Sequence, residues 1–300
     1  MAPVARPAPE WHPGAMNYRH AFHAGNFADV VKHAVLALLI ERLKAKETAF
    51  RVVDTHAGIG LYDLSADAPN RTGEWRQGIG RVFDRPLPEP LATLLAPFLA
   101  TVSAVKPGGG LRHYPGSPMI ARQLLRRQDR LTAVELHPED AAALSATFAG
   151  DRQVKVVALD GWLALPAFLP PKERRGLVLV DPPYEARDEF DRLAAGLAAA
   201  HRRWPTGQYL LWYPVKDLAA VDRLRLALAK SGIPRILRAE LFVRDRATPD
   251  RFNGTGLLLV NPPWQFEAAL EALLGGLAPI LADGPGAGFL LDPIAGESRP

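Results

Sequence analysis

The 300-residue sequence contains no cysteine. The chain therefore cannot form disulfides, use a thiolate nucleophile, or hold a Cys-ligated zinc ion or an iron–sulfur cluster. No run approaches eighteen consecutive apolar residues, and the first residues lack the basic and apolar regions of a signal peptide. We therefore expect no membrane span, and we expect a cytoplasmic protein.

The composition is that of a globular protein with a sizeable core, since 48% of the residues are hydrophobic and 23% are charged. The net charge of +4 suits a polyanionic partner. Basic residues cluster at 122–130, 172–175 and 235–251, either to contact phosphates or as solvated surface. Residues 1–15, rich in Pro and Ala, are predicted to be a disordered extension of a domain spanning 16–300.

Strands and helices are predicted to alternate after an N-terminal helix that begins near Asn26. Short apolar, β-branched segments indicate strands, and longer amphipathic segments indicate helices. The predicted strands are 51–54, 131–135, 154–159, 176–180, 209–215, 236–243 and 256–260. This order predicts a doubly wound, Rossmann-like α/β sheet, with an antiparallel last strand and an inserted helical subdomain at about 61–112.

Three motifs at predicted strand ends are typical of a nucleoside-containing ligand. Asp54 is followed by Gly58 and Gly60, and glycines let the backbone approach such a ligand closely. The third glycine of a dinucleotide-binding loop is missing, which argues against a nicotinamide-dependent oxidoreductase. Glu135 can accept hydrogen bonds from ribose hydroxyls, and Asp160-Gly161 can reach an adenine amine.

The fourth predicted strand ends in Asp181-Pro182-Pro183-Tyr184. The N6 amine of adenine is a poor nucleophile because its lone pair is delocalised into the ring. A carboxylate and a proline-fixed carbonyl can both accept hydrogen bonds from this amine, and the tyrosine ring can stack on the base. The tetrad predicts methylation of adenine N6, with Asp181 as proton acceptor.

A second tetrad, Asn261-Pro262-Pro263-Trp264, follows the last predicted strand. The catalytic tetrad is expected on the fourth strand, beside the glycine loop. We therefore interpret Asn261 as a structural strand end.

The histidines lack the spacing of a helical metal pair, so no metal site is expected.

The motifs YRHAFHAGNFADVVKH, DTHAGIG, RTGEW, YPGSP, ELHP, LDG and DPPYE occur in this order between Tyr18 and Trp264. Together they resemble the bacterial 23S ribosomal RNA adenine-N6 methyltransferases of the RlmJ family. The resemblance implies that the sheet is of the class I methyltransferase type. It also implies S-adenosylmethionine as methyl donor, without a metal, and adenine 2030 of 23S rRNA as target. It leaves protein partners unknown.

The resemblance also implies roles for individual residues. It makes Asp181 the catalytic proton acceptor and Tyr18 a substrate contact. Tyr184 is a second predicted substrate contact. The residues that it places at the cofactor are His33, His56, Ser117, Glu135, Asp160 and Gly161. Gly58 of the glycine loop and Asp181 of the tetrad are also predicted to bind the cofactor. His33 could instead be a core histidine. A DNA adenine-N6 methyltransferase remains the alternative, because the tetrad does not distinguish RNA from DNA, and an inactive RNA-binding module is disfavoured by the intact tetrad.

Overall fold

A computed structural model describes residues 20–105, 110–249 and 251–295. The predicted extension at 1–15 and the predicted substrate contact Tyr18 lie outside these ranges. No helix in the described part of the chain is long and apolar enough to cross a membrane.

The core of the fold is a mostly parallel sheet covered by helices. Its strands are β1 (Arg51–Asp54), β4 (Arg130–Glu135), β5 (Val154–Ala158), β6 (Gly176–Val180), β7 (Gln208–Val215), β8 (Ile236–Phe242), β9 (Gly254–Val260) and β10 (Gly288–Ala295). A separate pair consists of β2 (Leu61–Asp63) and β3 (His113–Pro115). The helices are α1 (Phe27–Lys44), α2 (Asp67–Thr72), α3 (Leu91–Ala104), α4 (Ser117–Leu124), α5 (Pro138–Thr147), α6 (Gly161–Phe168), α7 (Glu189–Arg203), α8 (Leu218–Ala229) and α9 (Phe266–Leu281).

The strand order in the large sheet is β10-β8-β9-β7-β6-β1-β4-β5. Strands β5, β4, β1, β6 and β7 run parallel, whereas β9 is antiparallel to both β7 and β8. After β1 the chain adds β4 and β5 on one side of β1, and then adds β6 and β7 on its other side. Ligands bind at such a reversal, outside the carboxyl ends of the strands. The predicted fold class is confirmed.

Helix α1 is buried on nearly all sides. Asn26 begins it, and the Asn26 Oδ1 atom accepts hydrogen bonds from the backbone N–H groups of Ala28 and Asp29, each at 3.0 Å. Val30, Val35 and Leu36 are fully buried. Charged and polar groups on such a helix need partners, because an unpaired buried charge is costly.

The predicted insertion at 61–112 contains α2 and α3 and is bounded by the β2–β3 pair, in which Leu61 lies opposite Pro115. The pairing of β2 with β3 brings the chain after the insertion back to the glycine loop. As a result, α4 begins beside the carboxyl end of β1. The sequence pattern did not reveal these two short strands.

The prediction that 236–243 and 256–260 are the last two strands is wrong. Helix α9 and strand β10 follow them, and β10 pairs antiparallel with β8 as the edge strand. Two adjacent glycines and Pro279 interrupt the apolar pattern of α9. The structure of β10 depends on its pairing with β8, which local sequence does not specify.

Candidate active site

The carboxyl ends of the parallel strands surround a cavity of about 490 Å³. Most of the residues predicted at the site line it: His33, His56, Gly58, Ser117, Glu135, Asp160, Gly161, Asp181 and Pro183. Side chains far apart in the sequence meet here because parallel strands end at one edge of the sheet.

Glu135, at the end of β4, is held by the backbone. Its Oε2 atom accepts a hydrogen bond from the Gly58 N–H at 2.8 Å, and its Oε1 atom accepts one from the His137 N–H at 2.8 Å. Burial raises the pKa of Glu135, although these two hydrogen bonds oppose the shift. Gly58 has a φ of 59°, and a Cβ there would lie 2.2 Å from the Tyr62 hydroxyl oxygen. The glycine therefore permits the turn that fixes Glu135.

Asp160 and Gly161, which follow β5, are also held in place by contacts with neighbouring residues. The Asp160 Oδ1 atom accepts a hydrogen bond from the Trp162 N–H at 2.7 Å and caps α6. A Cβ on Gly161 would lie 2.4 Å from the Thr55 carbonyl oxygen and 2.7 Å from His56 Cε1. Only glycine fits between these groups, so the cavity wall is closed by backbone.

Asp181, at the end of β6, pairs with a lysine that sequence analysis did not assign to the site. Lys32 Nζ lies 2.5 Å from Asp181 Oδ2 and 2.8 Å from Asp29 Oδ1. Asp29 is also within 3.0 Å of His20 Nε2. Burial alone would lower the pKa of Lys32, but the charges of Asp181 and Asp29 raise it above its ordinary value. Lys32 is therefore cationic and holds the Asp181 carboxylate at the cavity.

Two histidines at the cavity are neutral at physiological pH. Burial lowers the pKa of both His33 and His56 to about 3. His33 Nδ1 is 2.7 Å from the Tyr114 hydroxyl, and His56 Nδ1 is 2.8 Å from Thr55 Oγ1. The structure thus makes His33 a buried histidine with a satisfied partner and also part of the cavity wall.

Ser117 contacts a buried carboxyl group beneath the cavity. Its hydroxyl donates to Asp54 Oδ2 at 2.7 Å. Burial raises the pKa of Asp54 to about 7, against the opposing effect of the Ser117 hydrogen bond.

The raised pKa of Asp54 predicts a pH-dependent stability. The folded state holds the proton more tightly than the unfolded state, so this contribution is fully present below about pH 4 and is lost as the pH rises through about 7. Asp54→Asn should therefore gain stability relative to the wild type, on the order of 4 kcal/mol, between pH 4 and pH 8. Denaturant unfolding of both proteins across this range measures the difference; a constant difference would contradict the assignment.

The remaining members of the tetrad do not line the cavity. Pro182 is buried. The Tyr184 ring packs against Phe190 and Trp212, with centroids 4.9 and 5.5 Å away, and its hydroxyl donates to the Trp212 carbonyl at 2.8 Å. Tyr184 has a φ of 54°, which is strained for a non-glycine residue. Its stacking on a base stays a prediction.

The second tetrad lies on the other side of the sheet from the cavity, at the amino ends of the parallel strands. Because β9 is antiparallel to β7, Val260 is opposite Tyr209, near the start of β7. The Asn261 side chain donates to the carbonyls of Pro205 and Gly207, each at 2.8 Å. The interpretation of Asn261 as a structural strand end agrees with this placement.

Lys32 and Asp29 are the functional candidates that sequence analysis missed. The Asp29 carboxylate accepts a hydrogen bond from the Gly25 N–H at 2.9 Å and lies 2.8 Å from Lys32 Nζ. The available signal was a charged pair at helical spacing within an otherwise apolar helix. Among the described residues, no group of three or more His, Asp or Glu is placed to hold a metal ion.

The strand order and the acidic residues at successive strand ends, together with the tetrad after β6, define a class I S-adenosylmethionine-dependent methyltransferase. The profile of the family described as "Ribosomal RNA large subunit methyltransferase D, RlmJ" matches residues 47–290. The chain belongs to this family.

Individual relatives agree with this assignment. The "Ribosomal RNA large subunit methyltransferase J" of Haemophilus influenzae is 43% identical over 86% of this chain and 92% of its own. The protein of the same name from Escherichia coli is 42% identical over 86% of this chain and 91% of its own. A crystal structure of a Legionella pneumophila protein superposes with a TM-score of 0.82 at 33% identity, covering 90% of this chain and 98% of that one.

Proposed function

We propose that the protein transfers the methyl group of S-adenosylmethionine to N6 of adenine 2030 in 23S ribosomal RNA. The observation that carries this proposal is the Asp181 carboxylate, which Lys32 holds at the cavity beside Glu135 and Asp160. The relatives named as large-subunit rRNA methyltransferases support an RNA substrate, and no observation favours the DNA alternative. A cytoplasmic protein would have access to this RNA.

The residues at the cavity suit S-adenosylmethionine. The carboxylate of Glu135 is fixed to accept hydrogen bonds from ribose hydroxyls, and Asp160 and Gly161 line the same cavity. Neutral His33 and His56 add no positive charge that would repel a sulfonium. When bound, S-adenosylmethionine supplies an electrophilic methyl group.

The chain's own residues activate the amine. Asp181 accepts a hydrogen bond from the N6 amine and takes its proton as the new N–C bond forms. Pro182 and Pro183 fix the backbone so that a carbonyl can accept the second amine hydrogen. Lys32 orients Asp181, so the carboxylate is in place before the base arrives. Tyr18 and Tyr184 are proposed to contact the base.

Glu135→Gln should weaken binding of S-adenosylmethionine at least tenfold. The substituted amide loses negative charge, and its NH₂ group would face one of the backbone N–H donors that now hold Glu135. Charge-assisted hydrogen bonds contribute ~1.5–3 kcal/mol each. Titration calorimetry measures the affinity, with circular dichroism as the control for folding. Unchanged affinity in a folded variant would remove Glu135 from the cofactor site.

The substrate class is tested with labelled S-adenosylmethionine. Deproteinised rRNA and duplex DNA of matching sequence are offered separately, and the products are digested to nucleosides. We expect labelled N6-methyladenosine from RNA only. Label in DNA but not in RNA would establish the alternative and refute the proposal.

A further inference from the structure

The amino ends of the parallel strands lie on the side of the sheet opposite the cavity. The loops that precede these strands form a continuous surface there. Arg126, before β4, donates to the Lys46 carbonyl at 2.9 Å, and Arg175, before β6, donates to the Thr48 carbonyl at 2.8 Å. Both guanidinium groups lie over the Phe50 ring, 5.5 and 5.8 Å from its centroid. These contacts join the loops before β1, β4 and β6.

Exposed cations project from this surface. We define the basic rim as Lys46, Arg127, Arg152, Lys172, Arg174 and Arg202, all of which are exposed. Within the described ranges, none of the six side chains forms an ion pair with a carboxylate. Gln153, next to Arg152, donates to the Arg126 and Asp129 carbonyls, which connects the β5 loop to the same surface.

The carboxylates in these loops form ion pairs with arginines that do not belong to the basic rim. Asp129 is fully buried and pairs with Arg126, while Glu173 pairs with Arg51 at 2.9 Å. Asp151 pairs with Arg122. The side chain of Glu47 is 99% exposed and lies 4.0 Å from Arg126. The rim therefore carries an excess of unpaired positive charge.

The cavity side of the sheet carries charges of both signs, and several of its carboxylates are exposed. Glu135, Asp160 and Asp181 lie at the carboxyl ends of β4, β5 and β6, and exposed Glu185 and Asp188 follow β6. Lys32 and Arg192 are the cations of the cavity lining, where Lys32 pairs with Asp181 and Arg192 lies 3.7 Å from Asp160. Carboxylates repel a phosphate backbone. Exposed cations on other surfaces would therefore add to the electrostatic attraction between this protein and a polyanion.

We infer that the basic rim binds the phosphate backbone of a second segment of the substrate RNA, separate from the segment that presents the adenine. This inference rests on the proposed function. Strand β6 has five residues and spans about 17 Å at ~3.3 Å per residue, so the two edges are well separated. A large folded RNA can reach both ends of the strands with different segments, whereas a stem-loop too short to extend about 17 Å beyond the cavity reaches only one. The rim supplies affinity and no sequence discrimination.

The test compares two RNAs and a graded set of variants. The rim double variant is Lys172→Gln/Arg174→Gln, and the rim quadruple variant adds Lys46→Gln and Arg127→Gln. The charge-matched control is Arg223→Gln/Arg225→Gln on α8, where Arg225 pairs with Asp222 at 3.7 Å. Binding of a full-length 23S rRNA transcript is measured between 50 and 200 mM salt, and kcat and KM are measured on a short stem-loop that carries the target adenine.

We expect the rim double variant to bind the full-length transcript about fivefold to tenfold more weakly than the control, with the quadruple variant weaker still. Each lost phosphate contact should reduce the slope of log affinity against log salt by roughly 0.7–0.9. On the stem-loop, kcat and KM of the rim variants should stay within about twofold of the wild type.

Full-length RNA affinities and salt slopes equal to those of the control would overturn the inference and leave the rim to solvent or to an acidic protein. A parallel loss on the stem-loop would also overturn it, because the rim would then act on the segment at the cavity. Failure of the wild type to methylate either RNA would refute the proposed function, while the binding measurements would still decide the role of the rim.

Discussion

Asp181→Asn is expected to reduce methyl transfer at least ~10³-fold while leaving the affinity for S-adenosylmethionine within a few-fold of the wild type. An amide keeps the shape of the side chain but cannot accept the amine proton, and general-base catalysis contributes about 10²–10⁴ in rate. The Asp181 carboxylate lies at the cavity, so it can reach the substrate directly. The rate of labelled methyl incorporation into rRNA at saturating cofactor measures the effect.

The matched control is Asn261→Ala in the second tetrad. Asn261 bonds to the carbonyls of Pro205 and Gly207 at the opposite edge of the sheet, so its loss should affect stability and leave substantial turnover. Circular dichroism must show that both variants are folded. If Asn261→Ala is inactive and Asp181→Asn is active, the site assignment is wrong.

Lys32→Met should lower kcat by roughly 10²-fold or more and also destabilise the fold. The lysine is 4% exposed and neutralises two carboxylates, at 2.5 and 2.8 Å. Removing one partner from a buried ion pair typically costs about 3–5 kcal/mol, because it leaves an uncompensated charge. The Asp181 carboxylate would also lose the contact that orients it. Denaturant unfolding and single-turnover kinetics on a short RNA measure the two effects.

Lys44→Met is the control on the same helix. Lys44 pairs with Glu41 at i,i+3 spacing and 2.6 Å, as Lys32 pairs with Asp29, but its side chain is 28% exposed. Surface pairs contribute about 0–1 kcal/mol, so the fold and kcat should change little. Equal effects of the two substitutions would show that burial of the ion pair does not matter. A stable Lys32→Met enzyme with wild-type kcat would remove Lys32 from the mechanism.

The positions of the predicted site residues followed from strand ends. Glu135, Asp160 and Asp181 each terminate an apolar segment, and a parallel sheet brings such termini to one edge. Asn261 was assigned a structural role because the catalytic tetrad was expected on the fourth strand. The direction of β9 places Asn261 at the end of the strands opposite the cavity.

What sequence analysis missed depends on contacts between distant segments. The Lys32–Asp181 pair joins residues 149 positions apart, and no local pattern indicates it. The inward packing of Tyr184 depends on Trp212 and Phe190. Strand β10 is specified by the free edge of β8, and glycines interrupt the apolar sequence pattern of the preceding helix. The disordered extension at 1–15 and the bounds of the helical insertion stay predictions.

The most direct test of the proposed function is to map the methylated base. Deproteinised 23S rRNA is incubated with the protein and labelled S-adenosylmethionine, and the modified position is located by fragment analysis. We predict one N6-methyladenosine, at adenine 2030, absent when Asp181→Asn replaces the wild type. Label at another base, at another atom of adenine, or at undiminished levels with Asp181→Asn would contradict the proposal.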